Sequence, residues 1–274
     1  MNAVPPCTRR SVLVSLGMLA AAAGGWPSIF QARSAAAMKR RKSILVEDTH
    51  SGSSITNEYN FGSAEIGRLL TEQGNEVMRT AGVPGFRSAL GLTGQILERF
   101  DVVIFNGLCG NQEISFSNDE VEAIRKWVHA GGGLLVVSGG SKLGTVKGPS
   151  ILNPIIKPFG LAFQDGHLDQ TKHITKLNNR HRIMRGLHDF HIIHGVPVNA
   201  PAPAENIAWC GEESVLAVRR ISRGRVAVLG GGSAFMGQGI NSKIIKHSPP
   251  ATVAANKLLL TNLVDWLGEK PLEA

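Results

Sequence analysis

FDVVIFNGLCGNQEISFSNDEVEAIRKWVHAGGGLLVVS, residues 100–138, reads as strand, helix, strand. Asp101 to Phe105 is apolar on both faces, as a strand inside a parallel sheet has to be. Ser117, with Glu120 three residues on, forms a capping box that opens a helix. Val121, Ile124, Trp127 and Val128 make one apolar stripe along it. The Gly131-Gly132-Gly133 run supplies a left-handed stop, and Leu134 to Val137 is a second buried strand that ends in Ser138-Gly139-Gly140. A strand, a crossover helix and a strand with short links predict a βαβ unit and a parallel sheet.

The same pattern extends outward in both directions. Upstream, Ser43-Ile44-Leu45-Val46 predicts the first strand. Ala64, Ile66, Leu69 and Leu70 recur at helical spacing, and Gly74 ends that helix. Glu76-Val77-Met78 is a short strand, and a brief helix lies around Ile96 and Leu97. Downstream, residues 145–200 are irregular and rich in Pro, Asn and His. Val215 to Val218 and Arg225 to Leu229 predict a hairpin through Ser222-Arg223-Gly224. A final helix from Thr252 to Leu267 buries Leu259, Leu263, Trp266 and Leu267. No internal repeat and no dividing linker is evident.

The chain has 274 residues, 29 basic and 21 acidic, a formal net charge of +8. Seven of the basic residues and none of the acidic ones fall in residues 1–42. The remainder carries 22 basic against 21 acidic residues, so no basic face for nucleic acid is expected. Arg9-Arg10 precedes a mildly apolar run, Val14 to Ala23, and Ala35-Ala36-Ala37 offers an A-x-A cleavage site. Residues 1–37 therefore predict a twin-arginine export signal, a route that carries folded proteins; an ordinary secretory signal is the alternative. The apolar run is short for a membrane span, and Cys7 is not placed for a lipid anchor. The expected product is periplasmic or secreted, with a basic stub at 38–42, one domain over 43–268 and a tail at 269–274. Spacing leaves open whether Cys109 and Cys210 pair.

In open parallel sheets, ligands bind beyond the carboxyl ends of the strands. That rule selects Glu47-Asp48-Thr49-His50, Asn106 to Cys109, Ser138 to Ser141 and Gly230 to Ser233. The candidate ligand-binding set is Asp48, His50, Asn106, Ser138, Gly139 and Ser233. For catalysis the candidates are Ser138 or Cys109 as nucleophile and His181 or His50 as base. Ser138 follows its strand as an elbow nucleophile does, but Val136 stands where G-x-S-x-G needs glycine. Six of nine histidines lie between His167 and His194. His188-x-x-His191-x-x-His194 sits in extended chain, where residues three apart point to opposite faces, so no metal is expected. Gly230-Gly231-Gly232 lacks a nucleotide fingerprint, and no cofactor is expected.

Taken in order, Phe100 to Phe105, Phe116-Ser117-x-x-Glu120, Trp127-Val128 and Gly131 to Val137 resemble the core of the class I glutamine amidotransferase-like superfamily. Asp48-Thr49-His50, His181 to Leu187, Gly224 to Gly230 and Asn262 to Leu267 narrow the resemblance. They point to the trehalose-utilisation (ThuA-like) and gliding-motility/intraflagellar-transport (GIFT-like) branches. The resemblance spans residues 43–268. It implies an α/β, flavodoxin-like three-layer sandwich with a mostly parallel sheet. It does not imply glutaminase activity, because Ser138 stands at the elbow where the amidotransferases have cysteine, and the chain has no His-x-Glu. The expectation is an exported, non-catalytic ligand-binding or assembly module, with a small-molecule or carbohydrate ligand or a protein partner. The alternative is an exported hydrolase or carbohydrate-active enzyme.

Overall fold

The structure is a computed structural model. It describes residues 40–47, 50, 64–80, 91–107, 115–139, 148–168, 171–232, 234–240 and 250–270. The twin-arginine segment, Asp48, Cys109 and Ser233 lie outside the described residues. Among the described residues, twelve strands run in chain order: β1 (Ser43–Glu47), β2 (Glu76–Arg79), β3 (Val102–Gly107), β4 (Gly133–Ser138), β5 (Ala162–Phe163), β6 (Thr171–Ile174), β7 (Lys176–Leu177), β8 (Phe190–Ile193), β9 (Val198–Asn199), β10 (Glu205–Cys210), β11 (Glu213–Ile221) and β12 (Gly224–Leu229). The α-helices are α1 (Ala64–Glu72), α2 (Gly94–Leu97), α3 (Asn118–His129), α4 (Gly148–Ile156), α5 (Gly237–Ile240) and α6 (Pro250–Leu267).

Eight strands form one sheet in the order β2-β1-β3-β4-β12-β11-β10-β7. The first five are mutually parallel, and the last three add antiparallel pairs. The hairpin predicted between residues 215 and 229 is present, and Ile221 faces Gly224 across a turn in which Ser222 takes φ +49°. Its second strand runs parallel to β4, so the hairpin extends the parallel half of the sheet.

Alternation along the strands separates two cores. Ile44, Val46, Val102, Ile104, Leu135 and Val137 meet Ile66 and Leu70 of α1 and Leu259 and Leu263 of α6. Leu45, Val103, Phe105, Leu134 and Val136 meet Leu97 of α2, Ile124 and Trp127 of α3 and Leu152 of α4. The result is the expected α/β three-layer sandwich around a mostly parallel sheet. The capping box is formed as read: the Glu120 N–H donates to Ser117 Oγ at 3.2 Å, and the Ser117 N–H donates to the Glu120 carboxylate at 2.9 Å. Gly131 provides the positive φ, +122°, that ends the helix.

Residues 145–200 are more ordered than their composition suggests. Their described part holds α4, with Pro154 inside it, and five short strands. An interior proline removes one helical hydrogen bond, which conceals the helix from a reading of the sequence. Among the described residues, no helix is long and apolar enough to cross a membrane.

Candidate functional site at the strand ends

β1, β3, β4 and β12 are parallel neighbours, so His50, Asn106, Ser138, Gly139 and Gly230 to Gly232 share one edge of the sheet. They do not share one face. Asn106 continues the row of Ile104, toward α1 and α6. Ser138 continues the row of Val136, toward α3 and α4. Both are fully buried.

Ser138 is covered by the start of α4. A Cβ placed on Gly148 would stand 2.5 Å from Ser138 Oγ and 2.9 Å from the Gly139 carbonyl oxygen. Glycine at 148 is what allows this close approach. The Ser138 hydroxyl is shielded from solvent and has no hydrogen-bond partner among the described residues. No histidine among the described residues bonds to it, and a serine nucleophile needs a base in contact.

His181 is on the other edge. Its ring accepts from the Ile183 N–H at 3.3 Å and packs edge-on against Trp266, with ring centres 5.7 Å apart. The Trp266 carbonyl is bound by Arg225 at the beginning of β12, opposite the strand ends. Burial is the main influence on His181 and pushes it below the usual histidine range; Arg182 and Arg220 add to this and Glu205 opposes it.

The polar centre of the strand-end edge is instead built on β1 and α3. Glu47, the last residue of β1, is buried. His50 Nδ1 is 3.2 Å from Glu47 Oε1, and the His50 backbone N–H donates to Glu47 Oε2 at 3.1 Å. Thr80 Oγ1 donates to Glu47 Oε1 at 3.4 Å. On the far side of the ring, His50 Nε2 stands 3.5 Å from Glu120 Oε1. Phe116 stacks on the imidazole at 4.2 Å and 11°, and Phe105 meets Phe116 edge-on.

Glu120 thus has two duties. One oxygen closes the capping box. The other accepts from the Leu92 N–H at 3.2 Å and faces His50. Burial works to raise its pKa, but hydrogen bonds from Ser117 and Leu92, with the charge of His50, hold the carboxyl below its ordinary value. An imidazole between two carboxylates is fixed in orientation and can take or release a proton at either nitrogen. It can also offer a ligand a rigid polar wall backed by an aromatic ring. The signal for this trio was in the sequence, as Glu47 three residues before His50 and the Phe116-Ser117-x-x-Glu120 motif. Capping is the role that the sequence assigns to Glu120; its second oxygen meets Leu92 and His50 only through the fold.

No family model matches the chain, and no curated protein does. Solved structures do. The mmIFT52 N-terminal domain is similar at a TM-score of 0.59 and 14% identity, over 84% of this chain and 100% of that one. A ThuA-like protein from Bacteroides uniformis is similar at 0.51 and 14%, over 88% and 95%. A glutamine amidotransferase from Thermotoga maritima is similar at 0.50 and 14%, over 84% and 100%. At these identities the likeness is one of fold: the chain has the flavodoxin-like architecture that these three proteins share.

Proposed function

We propose that this chain is an exported, non-catalytic ligand-binding or assembly module with a glutamine amidotransferase-like fold. The observation that carries the reading is the burial of Ser138 beneath Gly148, which removes the elbow hydroxyl from reach of a substrate. The Glu47–His50–Glu120 trio supports a polar binding wall at the same edge. Neutral mono- and disaccharides are the first ligands to test, since hydroxyl groups pair well with carboxylates and imidazole.

A thermal-shift screen tests this, because a ligand that binds only the folded state raises the midpoint by mass action. A specific sugar should stabilise the protein. His50→Ala should abolish that shift, and Ser138→Ala should leave it unchanged. The alternative, an exported hydrolase, is favoured by the imidazole held between carboxylates. Ester or glycoside turnover that is lost in Ser138→Ala would replace the binding reading with the enzymatic one.

Export by the twin-arginine route is part of the proposal. Replacing Arg9 and Arg10 by lysine should hold the folded chain in the cytoplasm, as fractionation and blotting would report. Unchanged export of that variant would remove the twin-arginine assignment.

A further inference from the structure

Three segments singled out in the sequence, His181 to Leu187, Gly224 to Gly230 and Asn262 to Leu267, meet at the edge of the sheet opposite the strand ends. Arg182, Arg185, Asn262, Asp265 and Glu269 line a cavity there of about 310 Å³. That volume lies at the small end of the range for small-molecule sites.

Cations outnumber carboxylates around this cavity. Asp265 belongs to Lys42, whose Nζ stands 2.7 Å from it. Glu269 is shared: Arg182 pairs with its Oε1, and Arg225 Nη2 is 3.2 Å from its Oε2. Among the described residues, the Arg185 guanidinium has no acidic partner. Arg225 is the buried member, with its side chain only 8% exposed. Its Nη1 donates to the Trp266 carbonyl at 2.8 Å and to the Glu269 carbonyl at 2.6 Å. Burial is the first influence on Arg225 and lowers its pKa; Arg220 and Arg182 add to this, and Glu269 opposes it. The turn that carries Arg182 and Arg185 is held on α6, because Asn262 Nδ2 donates to the carbonyls of Ile183 at 2.8 Å and Arg185 at 3.0 Å. Guanidiniums placed in advance reduce the ordering cost of binding.

We propose that Arg182, Arg185 and Arg225 bind a phosphate group, free or as a small phosphate monoester, and that Glu269 is an internal carboxylate which the ligand displaces. A carboxylate held between two guanidiniums shows that the site already recognises an oxyanion, since the planar guanidinium fork matches carboxylate and phosphate alike. A phosphate brings more charge and more acceptor oxygens than a carboxylate, so it can also engage Arg185, which Glu269 leaves unused. Glu269 lies two residues beyond α6, so its side chain can leave without unwinding the helix. Arg225 keeps its bond to the Trp266 carbonyl when that happens. The site is at the opposite edge of the sheet from His50, so it stands or falls independently of the saccharide reading.

The test is a calorimetric titration of the full chain, in phosphate-free buffer, with inorganic phosphate and separately with glycerol 3-phosphate. One equivalent should bind saturably. Tighter binding of the ester identifies a monoester as the ligand, and equal or weaker binding identifies free phosphate. Arg182→Ala and Arg185→Ala should each weaken binding by about tenfold or more. Arg182→Gln serves where the alanine variant does not fold, as judged by circular dichroism. Glu269→Gln removes the internal competitor and should tighten binding by about threefold or more; binding seen only in that variant also supports the proposal. Arg125→Ala removes an arginine of α3 that is bonded to Glu122 and should change nothing. Absence of saturable binding in both the natural chain and Glu269→Gln overturns the proposal. So does binding that survives the Arg182 and Arg185 substitutions in folded protein, or that Arg125→Ala weakens equally. Glu269→Gln that binds no more tightly than the natural chain overturns the displacement.

Discussion

Trp127→Ala should lower the free energy of unfolding by about 3–5 kcal/mol. Trp127 is only 6% exposed and lies in the core beneath α3 with Phe100, Val103 and Leu134. Its ring lies flat on Gly132, where a Cβ would come within 2.3 Å of the indole. Nothing small can refill that space, because the floor is backbone. The Trp127 Nε1–H also donates to the Phe100 carbonyl at 3.3 Å, which joins α3 to the turn before β3. Trp127→Phe keeps most of the burial and loses that bond, so it should cost less than half as much as alanine. Urea denaturation of the three proteins measures the series. A loss below ~1 kcal/mol for alanine would mean that α3 does not pack on the sheet by this face.

Gly224→Ala should be about as damaging, for the opposite reason. A Cβ there would stand 1.9 Å from the Val128 carbonyl oxygen and 2.6 Å from that of Gly132. Both are backbone atoms, one at the end of α3 and one in the link to β4, so neither can rotate away. The hairpin would have to separate from α3, at a cost of about 3 kcal/mol, the upper end for overpacking. Gly94→Ala is the matched control, since a Cβ on Gly94 meets nothing within 4 Å. It should be near neutral in the same denaturation experiment, and a Gly224→Ala variant as stable as Gly94→Ala would contradict the packing described here.

Local chemistry made much of the fold legible. The runs Ile44–Val46, Val102–Phe105 and Leu134–Val137 are apolar on both faces, and only a strand covered on both sides tolerates that. The Ser117 and Glu120 cap, the glycine stop and the 222–224 turn each have a local cause, so each could be read without its neighbours. Long-range choices were not legible. Nothing near Gly224 states that its strand pairs with β4, and nothing near Gly148 states that it covers Ser138. At the candidate site, the strand-end rule selects residues that the parallel sheet does bring to one edge, but period-two alternation divides them between faces: Asn106 turns one way and Ser138 the other. That alternation was available from Ile104 and Val136 and would have separated the two. His181 shows a different failure, since a helix–turn segment can come to rest at either end of a sheet.

The place of β12 in the sheet has a consequence for how the chain is made. Leu134 of β4 pairs with Val226 of β12, so the fourth and fifth strands of the sheet are separated by some ninety residues of sequence. On a ribosome, β1 to β4 can assemble first, leaving one side of β4 as a bare ladder of amides and carbonyls flanked by Leu134, Leu135, Val136 and Val137. Synthesis at about 5–20 residues per second keeps that ladder open for roughly 5–20 seconds. A hydrophobic strand with an unsatisfied edge is a template for joining other chains. This protein therefore passes through an interval of self-association risk during every round of translation, which ends only when residues 224–229 emerge and close the gap.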